Sequence, residues 1–173
     1  MRFTPEQQKV IDLREKNILV SAAAGSGKTA VYIRLIQEIL AKGKSAILLV
    51  PEISLTPQLI TLLMSHFSDL VAVLHSSLRV TERYDEWKRI RSGKARVVVG
   101  TRSAVFAPTE NLGLIIIDEE QEHTYKSENS PRYHAREVAL YRGMKENSLV
   151  ILGSATPSVE TMYKAKCGQY SLV

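Results

Sequence analysis

Cysteine is nearly absent from this sequence, since Cys167 is the only one among 173 residues. A single cysteine excludes an internal disulfide framework and a zinc site built from cysteines. Long hydrophobic runs are also lacking, because no apolar stretch approaches the roughly 20 residues that a membrane-spanning helix needs. The N-terminus does not have the charged-then-apolar pattern of a signal peptide. We therefore expect a cytoplasmic protein that binds neither a membrane nor zinc.

Linkers, low-complexity tracts and internal repeats are missing as well, so the sequence predicts a single domain over residues 1–173. Hydrophobic residues make up 45% of the chain and charged residues 24%, which is typical of a globular protein with its own core. The net charge of +5 and the pI of about 9.3 permit nucleic-acid binding. They do not establish it, because many small basic domains bind no nucleic acid.

Apolar runs alternate with helical patterns along the chain. The runs typical of buried parallel strands cover residues 45–51, 70–75, 96–100, 112–117 and 149–153. This alternation predicts a three-layer α/β fold with a mostly parallel sheet covered by helices on both faces. In the helix predicted from Arg79 to Arg91, we expect the stripe of Tyr84, Trp87 and Ile90 to face the core rather than to form a base-stacking surface.

The most specific pattern follows the first apolar run, 17–20, and precedes an amphipathic helix. It reads Ala22-Ala23-Ala24-Gly25-Ser26-Gly27-Lys28-Thr29. A P-loop binds phosphate in this context: a strand is followed by a loop of small residues, then by Gly-Lys-Thr, and then by a helix. We expect the loop to hold ATP, with Lys28 on the β- and γ-phosphates and the Thr29 hydroxyl on Mg²⁺. Ala22 stands where the pattern usually has its first glycine, a variant common in helicases.

A helix start lies at the N-terminus. Thr4 suits the N-cap, Pro5 the first helical position, and Gln7 the position where a capping box has Glu or Gln. Gln7 also has a functional interpretation, because a glutamine just upstream of a helicase P-loop contacts the adenine edge. Both roles stay open, and they can coexist.

Two carboxylates follow the apolar run 112–117. In phosphoryl transfer, one carboxylate after a strand holds the Mg²⁺ shell, and its neighbour orients or deprotonates the attacking water. We assign the metal-side role to Asp118 and the water-activating role to Glu119. After the last strand, the hydroxyls of Ser154 and Thr156 are candidates to detect the γ-phosphate, although serine and threonine are also ordinary turn residues.

The segment from residue 122 to residue 136 mixes aromatic rings with cations, as single-stranded nucleic acid requires. The residues that we expect to contact nucleic acid here are Tyr125, Lys126, Arg132, Tyr133 and Arg136. A structural loop with surface aromatics is the alternative. His123 and His134 lie too far apart in sequence, without further ligands, to suggest a metal site.

Taken together, the motifs from about residue 31 onward resemble the first RecA-like ATPase lobe of the PriA family of replication-restart helicases. The runs that carry the resemblance are 49–58, 100–108, 118–120, 125–126, 131–136 and 153–158. The resemblance implies that 49–58 and Thr101-Arg102-Ser103 lie on the DNA side, and that Arg102 and Ser103 contact DNA. It also implies that the acidic run is helicase motif II, that Ser154-Ala155-Thr156 is motif III, and that 122–136 couples DNA contact to ATP hydrolysis.

The first thirty residues look more like AddA, a helicase–nuclease subunit of superfamily 1, and the seam falls between Thr29 and Tyr32. Gln121 also departs from the PriA pattern, which usually has histidine there. An engineered chimera and a divergent natural gene both fit these departures. Compared with the PriA family, we expect this sequence to lack the second RecA-like lobe with its arginine finger, the N-terminal DNA-binding region and the zinc module.

These features predict an ATP-binding helicase lobe that binds Mg²⁺·ATP, hydrolyses it weakly or not at all by itself, and unwinds no DNA. Its partners are expected to be ATP and, weakly, single-stranded or forked DNA. The alternatives are a nucleotide- or DNA-binding module without catalysis, or an engineered protein that tests the fold. A small P-loop kinase fits less well, because the Asp-Glu-Glu-Gln and Ser-Ala-Thr runs suit helicases better.

Overall fold

A computed structural model of the chain describes residues 3–13, 17–22 and 27–173. Within them, seven parallel strands form one sheet in the order β3-β4-β2-β5-β6-β1-β7. The strands are β1 (Ile18–Ser21), β2 (Ser45–Leu49), β3 (Val71–Leu74), β4 (Val97–Gly100), β5 (Leu112–Ile117), β6 (Leu149–Ser154) and β7 (Ser171–Leu172). The helices are α1 (Pro5–Asp12), α2 (Lys28–Ala41), α3 (Pro57–Phe67), α4 (Val80–Arg91), α5 (Ala135–Glu146) and α6 (Val159–Lys166).

Helices cover both faces of this sheet, which confirms the predicted three-layer α/β fold. Val10 of α1, Ile36 of α2 and Phe67 of α3 pack into the hydrophobic cluster on one face. A second cluster lies on the other face. Ile90 of α4, Ala139 of α5 and Ala165 of α6 pack into it. A sheet buried on both faces explains why its strands read as continuous apolar runs rather than as an alternation.

The predicted start of α1 is confirmed in detail. The Thr4 side chain accepts a hydrogen bond from the Gln7 amide, the Gln7 side chain accepts one from the Thr4 amide, and Pro5 occupies the first helical position. The capping box therefore forms as the sequence indicated.

The expectation for α4 is wrong for two of its three aromatic or aliphatic residues. Ile90 is buried, but 59% of Tyr84 and 45% of Trp87 are exposed. The reason is geometric. Each step of three residues falls about 60° short of a full turn, so Tyr84 and Ile90 lie about 120° apart around the helix. A spacing of three, repeated twice, therefore carries the stripe away from the core.

The polar motifs meet at one edge of the sheet, as parallel strands require. Asp118 follows β5, Ser154 ends β6, Thr101 follows β4, and Lys28 begins α2 shortly after β1. This edge, at the carboxyl ends of the strands, is where open α/β sheets bind their ligands. In the described part of the chain, no helix combines the length and the apolar character needed to cross a bilayer.

Candidate nucleotide site and adjoining groove

The nucleotide side of the site begins at Gly27. Its φ of 84° lies in the left-handed region that favours glycine, and it caps the N-terminus of α2. A Cβ at Gly27 would lie 2.9 Å from Nε2 of Gln7, so the side chain predicted to contact adenine is next to the end of the P-loop. The predicted phosphate ligands Gly25 and Ser26 lie outside the described residues.

Lys28 binds the two carboxylates that follow β5. Its Nζ lies 2.8 Å from Oε1 of Glu119 and 3.6 Å from Oδ1 of Asp118. The fold thus brings together three residues that the sequence placed in one site from motifs ninety residues apart. The single ammonium group balances only part of the negative charge of the two carboxylates.

Two tyrosines hold Asp118. The Tyr32 hydroxyl donates to Oδ1 of Asp118 at 2.9 Å, and the Tyr125 hydroxyl donates to its carbonyl oxygen at 2.6 Å. Burial raises the pKa of Asp118, against the opposing effects of Lys28 and the Tyr32 hydrogen bond. Burial, followed by the charge of Asp118, raises the pKa of Tyr32 well above its ordinary value, so Tyr32 remains a hydrogen-bond donor.

Tyr32 was missed by the sequence analysis, although it lies four residues after Lys28 and hence on the same face of α2. Gly153 on β6 makes room for it. A Cβ at Gly153 would lie 2.0 Å from the Tyr32 hydroxyl oxygen and 3.2 Å from Oδ1 of Asp118. Only glycine therefore fits beside this tyrosine–carboxylate pair as it is arranged.

Glu119 adopts the left-handed conformation, with a φ of 48°. This uncommon backbone turns the chain so that Asp118 and Glu119 both contact Lys28, while Glu120 is buried on the other side of the turn. Partial burial tends to raise the pKa of Glu119, but hydrogen bonds from Lys28 and Gln121 hold it below its usual value. Glu119 is therefore ionised at neutral pH.

Gln121 links the acidic run to the end of β6. Its Nε2 donates to Oε2 of Glu119 at 2.9 Å, and its Oε1 accepts a hydrogen bond from the Ser154 hydroxyl. The amide of Thr156 donates to Oγ of Ser154 at 2.9 Å. Ser154 is fully buried, so its hydroxyl reaches the site through Gln121. The exposed Thr156 is the member of this pair that is open to a ligand.

The residues present fit a magnesium ion bound together with a nucleotide. Carboxylate and hydroxyl oxygens are the donors that Mg²⁺ prefers. Asp118 lies 3.6 Å from Nζ of Lys28, and Thr29 is the residue after Lys28 at the start of α2. Among the described residues, no group of three or more His, Cys, Asp or Glu could hold a metal alone. A metal here would complete its shell with phosphate oxygens and water, as Mg²⁺ commonly does.

A cavity lies between α1, β1 and α2, next to Lys28. Its lining includes Thr4, Gln7, Val20, Tyr32 and the C-terminal Val173. Gln7 thus forms the capping box and also lines this cavity, so the two roles considered for it are compatible in space.

A second, more polar groove lies beyond β4. It is lined by Arg83, Arg102, Ser103, Lys126 and Asn129, among others. Nη1 of Arg102 donates to the carbonyl oxygens of Thr124 and Lys126, at 3.1 Å and 2.6 Å. Of the buried side-chain nitrogen and oxygen atoms in the described residues, Nε of Arg102 is without a hydrogen-bond partner.

The nucleic-acid assignment needs correction at two residues. Tyr125 is 1% exposed and Arg136 is 7% exposed, so neither ring nor guanidinium is available for stacking or for phosphates. The Tyr125 hydroxyl supports Asp118. Arg136 neutralises the buried Glu120, with Nη1 2.8 Å from its Oε2, because an unpaired buried carboxylate would be strongly destabilising.

The other predicted nucleic-acid residues lie at or near the surface. Lys126 and Arg132 are exposed, and Tyr133 is half-buried. The Tyr133 ring packs edge-on against Phe106, with 4.9 Å between centroids, and lies 5.9 Å from the Arg102 guanidinium carbon. Segment 122–136 therefore has an inner side that belongs to the core and an outer side that faces the groove.

The chain is similar to known helicases both in sequence and in fold. Residues 4–165 match the family model described as DEAD/DEAH box helicase. The chain is 50% identical over 171 residues to the replication restart protein PriA of Bacillus subtilis, which covers 99% of this chain and 21% of that protein. It is 48% identical over 163 residues to PriA of Treponema pallidum, covering 91% of this chain and 25% of that protein.

These matches extend the PriA resemblance beyond its expected limit at about residue 31. The Bacillus subtilis match takes in 99% of the chain, and therefore most of the thirty residues that look like AddA. The chain spans only about a fifth to a quarter of the length of these relatives.

Solved helicase structures share the fold. RecG bound to a three-way DNA junction superposes with a TM-score of 0.69 at 23% identity, over 99% of this chain and 23% of that one. A DEAD box protein from Methanococcus jannaschii superposes with a TM-score of 0.63 at 26% identity, over 96% of this chain and 48% of that one. The three-layer domain is thus RecA-like, as predicted.

Proposed function

Because the chain belongs to the DEAD/DEAH box helicase family, we propose that it is the ATP-binding first lobe of a DNA helicase of the replication-restart type. The observation that carries the proposal is the contact of Lys28 with Glu119 and Asp118 across the strand ends. A lysine that begins a helix after a P-loop pattern and meets two carboxylates after a neighbouring strand suits phosphate and metal binding together.

In this proposal each residue has a distinct task. Lys28 leaves Glu119 and binds the β- and γ-phosphates, while the amides of the glycine loop hold the phosphate chain. Thr29 and Asp118 would hold Mg²⁺, which neutralises phosphate charge when it is bound. Gln7 reads the adenine edge from the adjoining cavity.

Glu119 is the proposed base that orients and deprotonates the attacking water. Its pKa is held below the ordinary value, which keeps it in the unprotonated form that a base requires. Both of its oxygens are nevertheless engaged, one with Lys28 and one with Gln121. Release of Lys28 to a nucleotide would free one oxygen for water.

We expect slow hydrolysis and no unwinding from these 173 residues alone. An arginine finger contributes about 10³- to 10⁵-fold in rate where it has been measured in related nucleotide hydrolases, and helicase lobes receive it from a second lobe. The chain covers 21% of its Bacillus subtilis relative, so the activity of a whole helicase is a proposal for a longer protein.

The groove beside β4 is the proposed path for single-stranded or forked DNA. Ser103, Lys126 and Asn129 line it and offer a hydroxyl, an ammonium group and an amide, which suit phosphates and base edges. With few cations in the groove, we expect binding that is weak and has only a shallow salt dependence, because the salt slope scales with the number of phosphates contacted.

Titration with a fluorescent ATP analogue tests the nucleotide site. Lys28→Ala should weaken binding by roughly 10- to 100-fold, since hydrogen bonds to charged groups contribute about 1.5–3 kcal/mol. Lys42→Ala is the matched control, because Lys42 is an exposed lysine that caps the other end of α2. Equal affinity in Lys28→Ala and Lys42→Ala would contradict the assignment of Lys28.

Glu119→Gln separates binding from chemistry. We expect this variant to bind ATP as the parent does, with any residual turnover reduced by about 10²-fold or more. A turnover rate that is unchanged in Glu119→Gln would exclude Glu119 as the base. Strand separation by the 173-residue chain alone would contradict the requirement for a second lobe.

A second candidate function is a nucleotide- or DNA-binding module without catalysis. It is favoured by the full engagement of the Glu119 carboxylate with Lys28 and Gln121. ATPase rates with and without single-stranded DNA, at low salt, distinguish the two. Turnover above background supports the helicase lobe, whereas binding with no turnover under either condition supports the module.

A further inference from the structure

Helix α4 presents two aromatic rings to solvent. Tyr84 is 59% exposed and Trp87 45% exposed. Aromatic side chains of this size are strongly favoured in cores and interfaces, so an exposed pair on one helix face needs a reason. We propose that Tyr84 and Trp87 form a stacking platform for the bases of single-stranded nucleic acid that leaves the groove beside β4.

The geometry of the two rings suits flat ligands. Their planes differ by only 6°, with 6.5 Å between centroids, so a base parallel to one ring is parallel to the other. Nζ of Lys88 lies over the Tyr84 ring, 4.6 Å from its centroid, and forms an ion pair with Oδ1 of Asp85 at 2.9 Å. A base that stacks on that face of Tyr84 would therefore have to displace this exposed ammonium group. Parallel aromatic faces with an adjacent cation are the elements by which proteins bind single strands without sequence preference.

The platform is held by a fixed inner side of the helix. Ile90 is buried in the core, and Nη2 of Arg89 donates to the Asp69 carbonyl at 2.6 Å. Glu86 binds both the Arg89 guanidinium, at 2.7 Å, and the Val73 amide, at 3.2 Å. The outward rings therefore stand on a helix that is anchored to β3 and cannot turn inward without breaking these contacts.

Charge favours nucleic acid over another occupant. Residues 79–96 contain seven lysines or arginines and three acidic residues, so this segment carries a net charge of +4 out of +5 for the whole chain. A polyanion is attracted to such a surface, and cations around aromatic rings are the usual composition of single-strand sites.

The platform also continues the proposed groove. Arg83 precedes Tyr84 on α4 and lines the groove together with Ser76, whose carbonyl oxygen accepts a hydrogen bond from Nη2 of Arg83 at 3.2 Å. Trp87 lies four residues further along the helix, a rise of about 6 Å. A strand that passes Arg83 thus meets the rings within one or two nucleotides. The inference rests on the proposed function at this point, because it requires that the groove next to the platform binds DNA.

Trp87 is the only tryptophan in the chain, so its fluorescence reports directly on the platform. The probe is a single-stranded oligothymidylate of about twenty nucleotides at low salt, with fluorescence anisotropy of a dye on the DNA as an independent measure of binding. The comparison strand is an abasic oligonucleotide with the same number of phosphates. We expect the thymidylate strand to quench Trp87 and the abasic strand to leave its emission unchanged.

Substitution tests the same point through affinity. Tyr84→Ala with Trp87→Ala should weaken oligothymidylate binding by about tenfold or more, because each base stacked on an aromatic side chain accounts for roughly that factor. Trp87→Phe should retain most of the affinity. Tyr163→Ala is the matched control, since Tyr163 on α6 is 68% exposed and outside the platform; it should not change the affinity.

The two readouts separate failure of the platform from failure of the groove. DNA binding by anisotropy without quenching of Trp87, or equal affinity in the double alanine variant, overturns the platform and leaves the groove intact. No binding by either measure overturns both and leaves the nucleotide site untouched. Self-association in sedimentation that is lost in the double alanine variant, with no quenching by DNA, would instead assign the rings to a protein contact.

Discussion

The nucleotide side and the groove side of the sheet edge are built differently. On the nucleotide side, side chains contact one another in an unbroken series from Lys28 through Glu119 and Gln121 to Ser154. On the groove side, Ser103 and its neighbours line an open surface. The first region is fixed by packing before a ligand arrives, whereas the second offers charge and hydrogen-bonding groups that a ligand must order.

Segment 122–136 belongs to both regions. Its inner residues Tyr125 and Arg136 support Asp118 and Glu120, while Lys126 on its outer side lines the groove. A ligand that moves the outer side would therefore act on Tyr125, which holds Asp118, the proposed metal-side carboxylate. Substitutions test this difference, because we expect them to lower stability among the packed residues and to change it little on the groove side.

The largest expected effect is at the buried ion pair. Arg136→Met should lower the free energy of unfolding by about 3–5 kcal/mol, because it leaves Glu120 buried without a cation. Urea unfolding measures the change. Glu137→Gln is the control, since Glu137 lies 3.5 Å from the same guanidinium but is exposed, and it should alter stability by less than about 1 kcal/mol. A loss of unfolding free energy as small as that of the control would contradict the structural role of Arg136 and would favour its original assignment to nucleic-acid binding.

Gly153→Ala should have the next largest effect, about 1–3 kcal/mol of lost stability, because its Cβ would meet the Tyr32 hydroxyl oxygen at 2.0 Å. Combining Gly153→Ala with Tyr32→Phe removes that oxygen and should recover part of the loss in a double-mutant cycle. If the losses of unfolding free energy in the cycle are additive, there is no steric conflict between a Cβ at residue 153 and the Tyr32 hydroxyl.

Some residues near Lys28 could be predicted from the sequence and others could not, and the difference has a physical reason. Asp118 and Glu119 could be predicted because carboxylates directly after an apolar strand lie at the ligand edge of a parallel sheet. Gln121 was noticed only as a departure from a family pattern, since its two partners are fixed by the turn at Glu119 and by β6. Tyr32 carried a local signal, its spacing from Lys28, that was not used.

The wrong predictions concern which side chains point toward the core, since the amino-acid composition of a segment does not determine this. Aromatic rings and cations in 122–136 suggested a nucleic-acid surface, but composition does not say which side chain points inward. Arg136 is drawn inside by Glu120, a partner sixteen residues earlier in the chain. For Tyr84 and Trp87 the prediction was wrong in the opposite sense, because a repeated spacing of three residues drifts around a helix and does not keep side chains on its buried face.

Tyr32→Phe alone should have a moderate effect that is confined to the metal. Loss of one hydrogen bond to a carboxylate amounts to about 1.5–3 kcal/mol at most, and it should weaken binding of Mg²⁺·ATP several-fold. Binding of ATP in EDTA should change much less, because phenylalanine keeps the ring that lines the cavity and the hydrogen bond that is lost goes to Asp118. An equal decrease with and without Mg²⁺ would make Tyr32 a general support of the site.

The smallest effect on stability is expected on the groove side. Arg132→Ala should change the free energy of unfolding by less than about 0.5 kcal/mol, because Arg132 is exposed. If its guanidinium binds one phosphate, the slope of log affinity for single-stranded DNA against log salt should decrease by about 0.7. A large loss of stability with no change in the slope would place Arg132 with the packed residues instead.

The central claim is that Lys28, Asp118 and Glu119 form a site for ATP together with Mg²⁺. A calorimetric titration of the chain with ATP, in Mg²⁺ and then in EDTA, tests it most directly, with Asp118→Asn as the matched variant. We expect tighter binding in Mg²⁺ than in EDTA for the parent chain, and no difference between the two conditions for Asp118→Asn. Equal affinity in Mg²⁺ and EDTA for the parent chain would contradict the claim.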